Sequence, residues 1–454
     1  VSDQAVVIRG PGRPNVPAAD GLRGLAALGV VCYHVIYAAG RPRLGSDLIR
    51  NLFVSGYMGV DFFFVLSGFL LFLPVANRGE FGSTKNYALR RTVRILPAYY
   101  LAVIFTQVFD ARLVKVPLDY PLGTHRGLES LLLHLSFLQH NLGPALGFSE
   151  GFGVNGVVWT LSIEVLFYLV LPFVAVRYFR RPFLGLGLAL GLAGVWRALA
   201  ARLWLPLPHW PGLAVPSLTR SILITQFPTY LAHFAAGMTA AWIFVRFRRD
   251  HINVPAWFAV AAQALGLAGV IWGMAAAGHR DIAGTTGALE HWSSTTPVAL
   301  SFSLLLLATA LAPPWAQWPA TNPAVRRLGD ISYGVYLWHL LFIGFALQSL
   351  HWTPAGTTAA FVRMFGFAFT GAVVAGSLSY YLMERPLIHW ARRRSQLRDR
   401  RPRPALPAQA GGGVHDDAAE STSTSPARRR SFPQGLGQDD ANQGDRRPAR
   451  SDLR

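Results

Sequence analysis

The 454-residue chain has one cysteine, Cys32, two lysines, Lys85 and Lys115, and only 14% charged residues. A lone thiol can form neither an intrachain disulfide nor a cysteine metal cluster, so a disulfide-stapled fold and a zinc ribbon are both excluded. With lysine nearly missing, the basic side chains are almost all arginine, and they lie between apolar segments and towards the C-terminus rather than on one compact domain. That distribution argues against nucleic acid as the partner of a chain with net charge +19 and fits the loop-charge bias of a membrane protein. Scarce charge is matched by abundant apolar side chains: 52% of residues are hydrophobic and mean hydropathy is +0.32, too apolar for an ordinary soluble chain of this length. No internal repeat is visible, a mild argument against transporter folds built from duplicated halves.

What is present is a series of apolar segments. Windows of roughly 17–25 residues predict ten membrane helices, near 22–39, 54–76, 95–110, 157–176, 183–201, 222–245, 256–277, 297–313, 331–350 and 358–383. The expected fold is all-α and polytopic. Ten spans put both termini on one side, and arginine-rich loops such as those around Arg90, Arg180 and Arg248 make that side the cytoplasm, with the chain in the plasma membrane. Residues 1–19 then form a cytoplasmic arm and 20–390 a membrane-embedded domain. Residues 391–454, rich in Arg, Pro, Gly, Ser and Asp with almost no aromatics, form a basic cytoplasmic tail expected to be disordered. The loop at about 111–156 is outer on this scheme, and its amphipathic stretch Leu128 to Leu138 suits a lid or an acceptor-binding element. Tyr37-Ala-Ala-Gly40 resembles a leader cleavage site, but the spans that follow and a histidine within the first run argue against a cleaved leader.

The first span carries the most informative spacing. In Asp20-Gly-Leu-Arg23 through His34, the arginine and the histidine are eleven positions apart. On a helix that is three turns plus roughly 20°, so both lie on one face about 16 Å apart along the axis. Ionisable groups at membrane depth are costly and are read first as functional. Glu164, in Trp159-Thr-Leu-Ser-Ile-Glu-Val-Leu-Phe-Tyr168, is expected at nearly the depth of His34, where a carboxylate would orient the imidazole as a general base; the plainer role is a structural hydrogen bond to a neighbouring helix. Arg90, Arg91 and Arg94 stand at the mouth of the third span. Their guanidinium forks, with Arg91 and Arg94 on one helical face, suit the phosphates of a nucleotide donor such as coenzyme A, making Arg90, Arg91 and Arg94 candidate donor-binding residues, or they serve as ordinary loop-charge anchors. Asp61, in Gly59-Val-Asp-Phe-Phe-Phe-Val-Leu-Ser-Gly-Phe69, pairs with an arginine or sits in a segment of close-packing residues. His233 and His339 are further histidines at middle depth, but none has a second ligand at i+3 or i+4, so no metal site is expected. A G-x-S-x-G nucleophile elbow is missing as well.

Taken together, Arg23-x10-His34, the Gly59 to Phe69 segment, Arg91-x-x-Arg94, the Trp159 to Tyr168 segment and Ile331-Ser-Tyr-Gly-Val-Tyr-Leu-Trp-His339 resemble the acyltransferase 3 family of integral membrane O-acyltransferases, in the family's order across about residues 18–390. The resemblance implies a ten-helix domain that moves an acyl group, often acetyl, from cytoplasmic acyl-CoA to a hydroxyl of a glycan, glycolipid or secondary metabolite. It also implies that His34 is the catalytic residue, Arg23 its partner, and Arg91 and Arg94 the donor-contacting arginines. Some members carry an extracytoplasmic hydrolase-like domain; none is expected here, so transfer is expected to finish within the membrane domain. The competing expectation is a proton-coupled transporter or flippase, with the mid-membrane histidines and carboxylates as a relay.

Overall fold

A computed structural model of the chain describes residues 16–109, 123–146, 155–202, 223–282 and 290–399. The expected arm up to residue 15, the tail beyond 399 and, of the loop suggested as a lid, residues 111–122 and 147–154 lie outside them. Among the described residues every regular element is helical and there is no strand.

Helix α1 is Pro17–Ala38, followed by α2 at Asp47–Val54, α3 at Gly59–Arg78 and α4 at Thr84–Phe109. A short amphipathic helix, α5 (His125–Leu135), precedes α6 (Trp159–Arg180) and α7 (Pro182–Arg202). Then come α8 (Phe227–Arg249), α9 (Ala256–Ile282), α10 (Glu290–Leu311), the short α11 (Pro314–Thr321), α12 (Pro323–Gln348) and α13 (Thr358–Ser379). A π-helical segment, Tyr380–Glu384, joins α13 to α14 (Arg385–Asp399). Seven of these segments are long and apolar enough to cross a membrane. The remaining long helices are α4, which carries Arg90, Arg91 and Arg94, α8, which ends in three arginines, and α10, whose apolar run is shorter. Each of the ten expected spans falls on one of these long helices.

Boundaries differ where charge lowers hydropathy without breaking the backbone pattern. Helix α4 starts at Thr84, eleven residues before the expected span, because arginine is a good helix former and the Ser83 hydroxyl accepts from the Asn86 amide at the first turn. Helix α12 likewise starts at Pro323, whose fixed φ suits the first turn, with the Asn322 side chain capping the Val325 amide. Helix α1 starts at Pro17, so His34 stands four residues from its C-terminal end and not at mid-span as expected.

Lipid offers no hydrophobic drive between helices, so close approach relies on small residues. Gly68 of α3 lies against the Phe234 carbonyl of α8, and Gly237 of α8 lies against the Val65 carbonyl of α3. The buried rings of Phe64, Phe69, Phe72 and Phe234 fill the space around this crossing. Helices α1 and α12 run parallel and touch at Gly24 and Gly329, whose backbones leave no room for a Cβ. Gly237→Ala is expected to destabilise the protein by about 1–3 kcal/mol through overpacking. Gly187→Ala, with nothing near its added methyl, should be neutral or slightly stabilising. Apparent unfolding midpoints in detergent compare the two, and an unchanged midpoint for Gly237→Ala would refute the contact.

Helix α5 is tied to α4 by hydrogen bonds from the Tyr99 hydroxyl to the His134 carbonyl (2.8 Å) and from the Tyr100 hydroxyl to the Leu135 carbonyl (2.9 Å). It leaves Leu128 and Leu132 exposed, the arrangement of an interfacial helix.

Candidate active site

The contact of α1 with α12 sets the register of two histidines. His34 follows Gly24 by ten residues and His339 follows Gly329 by ten, so parallel helices touching at the glycines bring the imidazoles to one level. His339 Nε2 lies 3.1 Å from His34 Nδ1. The tautomers follow from the surrounding carbonyls, which can only accept. His339 Nδ1 lies 2.8 Å from the Tyr336 carbonyl and 3.3 Å from that of Val335, so it carries the proton and leaves Nε2 as an acceptor. His34 Nδ1 then faces two acceptors, His339 Nε2 and the Val30 carbonyl at 2.9 Å, and must itself be protonated. When both rings are neutral, the lone pair of His34 is on Nε2. The Tyr33 ring meets His34 edge-on, with centroids 4.8 Å apart, and limits its rotation.

Glu164 is placed elsewhere. It accepts from the Ser67 hydroxyl at 2.5 Å and from the Tyr168 hydroxyl at 2.6 Å, and no hydrogen bond joins it to His34. Thr160 Oγ1 meets the Tyr336 hydroxyl at 2.9 Å. Glu164 is four residues beyond Thr160 in one direction and His339 three beyond Tyr336 in the other, an axial offset of about 10 Å. The expected carboxylate–imidazole pair is therefore corrected: a second imidazole and a carbonyl orient His34. Counting residues from the edges of hydropathy windows hid the offset, because both windows missed the true helix ends.

Around Glu164 gather the basic groups. The Arg91 guanidinium lies 5.8 Å from the centre of the Tyr168 ring, and the Tyr87 hydroxyl donates to the Tyr168 carbonyl at 3.2 Å. Arg23 is ion-paired with Asp20 at 3.3 Å and shares an electrostatic neighbourhood with Arg94, Glu164 and Tyr168. Arg94 also acts on Glu384, and Arg90 acts on Tyr87. Arg23, Arg91 and Arg94 are half-buried, and the buried Arg91 Nε has no hydrogen-bond acceptor. A half-buried cluster of guanidiniums with an unfilled donor fits an oxyanion ligand such as a phosphate.

Asp61 and His233 form a separate buried pair at 2.8 Å, with Asp61 on α3 and His233 on α8. The approach does not meet the geometry of a hydrogen bond, so it is a close polar contact between the two side chains. Asp61 thus pairs with a histidine, and the arginine in its electrostatic range is Arg197, whose guanidinium is bonded to Thr296 Oγ1 at 2.5 Å and to the Thr229 carbonyl at 3.1 Å. Among the described residues no group of three or more His, Cys, Asp or Glu side chains could hold a metal ion.

A family model described as an acyltransferase domain matches residues 16–380, spanning α1 through α13, the two histidines and Arg23, Arg91, Arg94, Glu164 and Tyr168. The chain belongs to the acyltransferase 3 family. Among its relatives, the peptidoglycan O-acetyltransferase OatA of Listeria monocytogenes is 24% identical over 389 residues, covering 83% of this chain and 56% of that protein. The exopolysaccharide production protein ExoZ of Rhizobium meliloti is 28% identical over 352 residues, 75% of this chain and 92% of that protein. Nodulation protein 10 of Rhizobium leguminosarum is 25% identical over 337 residues, 70% and 82% respectively. The chain therefore spans little more than half the length of OatA. No solved structure matches it. The sequence did not show His339 as the partner of His34, nor Ser67 and Tyr168 as the partners of Glu164. The available signal was the shared ten-residue spacing from glycine to histidine on α1 and α12.

Proposed function

We propose that this chain is a plasma-membrane O-acyltransferase that moves an acetyl or other short acyl group from acyl-CoA to a hydroxyl of a cell-envelope glycan or glycolipid. The observation that carries the reading is the His34–His339 pair, on the same face of α1 as a half-buried arginine cluster about 16 Å away along the axis. Relatives named as O-acetyltransferases of peptidoglycan support the reaction class. Both termini lie in the cytoplasm in this scheme, so the arginines face the donor's compartment.

Arg91, Arg94 and Arg23 hold the donor's phosphates, with Glu164 and Tyr168 fixing Arg91, and the pantetheine arm reaches along α1 towards His34. His34 Nε2 takes the proton of the acceptor hydroxyl as its oxygen bonds to the acyl carbon and the carbon–sulfur bond breaks. The electron pair leaves on sulfur, and His34 returns the proton to the thiolate, so that free CoA and an ester are the products. During the step the imidazolium is stabilised by His339 Nε2 and the Val30 carbonyl, both accepting from Nδ1.

Detergent-purified full-length protein tests this by release of free CoA thiol from acetyl-CoA in the presence of a glycan acceptor. His339→Ala is expected to lower kcat by about 10- to 100-fold with little change in the KM for acetyl-CoA. His339→Gln, whose side-chain oxygen can accept from His34 Nδ1, should recover part of the loss. Equal losses in both variants, or a loss confined to KM, would refute the positioning role of His339. A wild-type chain indifferent to acyl-CoA would favour the transporter instead.

A further inference from the structure

At the elbow where α13 passes through the π-helical segment into α14, a groove of about 470 Å³ is lined by Tyr381, Arg385, Pro386, His389, Trp390 and Arg393. None of these residues belongs to the clusters around His34 or Arg91. Arg385, His389 and Arg393 are spaced i, i+4, i+8, so they line one face of α14, while Ala391 and Ser395 on another face are buried. Arg385 lies 5.7 Å from the Tyr381 ring, a cation–π contact that holds its guanidinium at the groove. Asp330 is the acidic side chain acting on Arg385 and offsets only part of this charge.

An exposed apolar stripe on the same helical stretch ends at Leu382, next in sequence to Tyr381 of the groove. Val374, Leu378 and Leu382 follow one another at four-residue intervals and are 54%, 55% and 74% exposed. On a membrane-crossing helix such a stripe is where acyl chains lie, and here it ends beside two arginines and a histidine, with an exposed tyrosine and tryptophan among them. Tyrosine and tryptophan mark the membrane interface, and basic clusters next to a membrane helix attract acidic lipids. A nucleotide would use the cations and leave the stripe without a role, whereas a diacyl lipid uses both.

We propose that this elbow is a binding site for an acidic phospholipid, its phosphate among Arg385, His389 and Arg393 and its chains along Val374, Leu378 and Leu382. The proposal is independent of the acyl-transfer reading. Full-length protein in mild detergent, delipidated and then titrated with palmitoyl-oleoyl phosphatidylglycerol, tests it by native mass spectrometry. Retention at least tenfold better than for the matching phosphatidylcholine is expected. The double variant Arg385→Gln/Arg393→Gln should lower phosphatidylglycerol retention about tenfold or more, and Arg392→Gln, outside the groove, should leave it unchanged. Equal retention of the two lipids, wild-type retention in the double variant, or displacement of the lipid by 3′,5′-ADP would each overturn the proposal. Should the double variant not elute as the wild type does, His389→Gln and Leu382→Asn decide by the same criterion.

Discussion

Alanine at position 34 is expected to lower acyl transfer by about 10²- to 10⁴-fold, the contribution of a positioned general base, while leaving acetyl-CoA bound with near-native affinity. The separation of effects follows from the geometry. His34 is three helical turns from Arg23 on α1, and none of the hydrogen bonds around Glu164, Ser67 and Tyr168 involves it. The substitution removes the His34–His339 hydrogen bond but leaves the close approach of α1 and α12 at Gly24 and Gly329 in place. CoA release and equilibrium binding of acetyl-CoA, measured on the same purified sample, separate chemistry from binding. Retained turnover would remove His34 from the mechanism and leave the arginine cluster without its reaction.

The complementary experiment attacks the other end of the path. Arg91→Gln/Arg94→Gln removes two charged donors, each worth about 1.5–3 kcal/mol when hydrogen-bonded to an anion, so kcat/KM for acyl-CoA should fall by about 10²-fold or more. Most of the fall should appear in KM. A donor lacking the 3′-phosphate provides the control: if the arginines hold phosphates, the wild type should discriminate against it and the double variant should discriminate less. Discrimination unchanged in the variant would return Arg91 and Arg94 to the role of loop-charge anchors. Since Arg91 stacks over the Tyr168 ring and Tyr168 donates to Glu164, Glu164→Gln should mimic part of the binding defect and leave the His34 pair undisturbed.

These two experiments follow the division between what was legible locally and what was not. Composition alone excluded disulfides and identified a polytopic chain, because burying or exposing apolar side chains to lipid is a property of the side chains themselves. The Arg23–His34 spacing was equally legible, since helix geometry relates residues eleven apart whatever surrounds them. Arg91 and Arg94 shared a face for the same reason. Helix ends were less so: α1, α4 and α12 all begin before their apolar windows, started by proline, a serine or asparagine cap and helix-tolerant arginine.

Partner choice was another matter. His34 and His339 are separated by 305 positions, Ser67 and Glu164 by 97, and no periodicity connects residues so distant. Their meeting depends on where glycines let two backbones approach, on the direction of each helix, and on offsets of a turn or two that reverse which groups touch. A carboxylate expected beside the imidazole ends two turns away holding a tyrosine and a serine, and a histidine weighed as a metal ligand takes its place. The sequence by itself determined the kinds of group available and their order along each helix, through side-chain chemistry and the 1.5 Å rise. Only the tertiary structure decided which of them share a hydrogen bond, because that depends on packing between helices that no local rule contains.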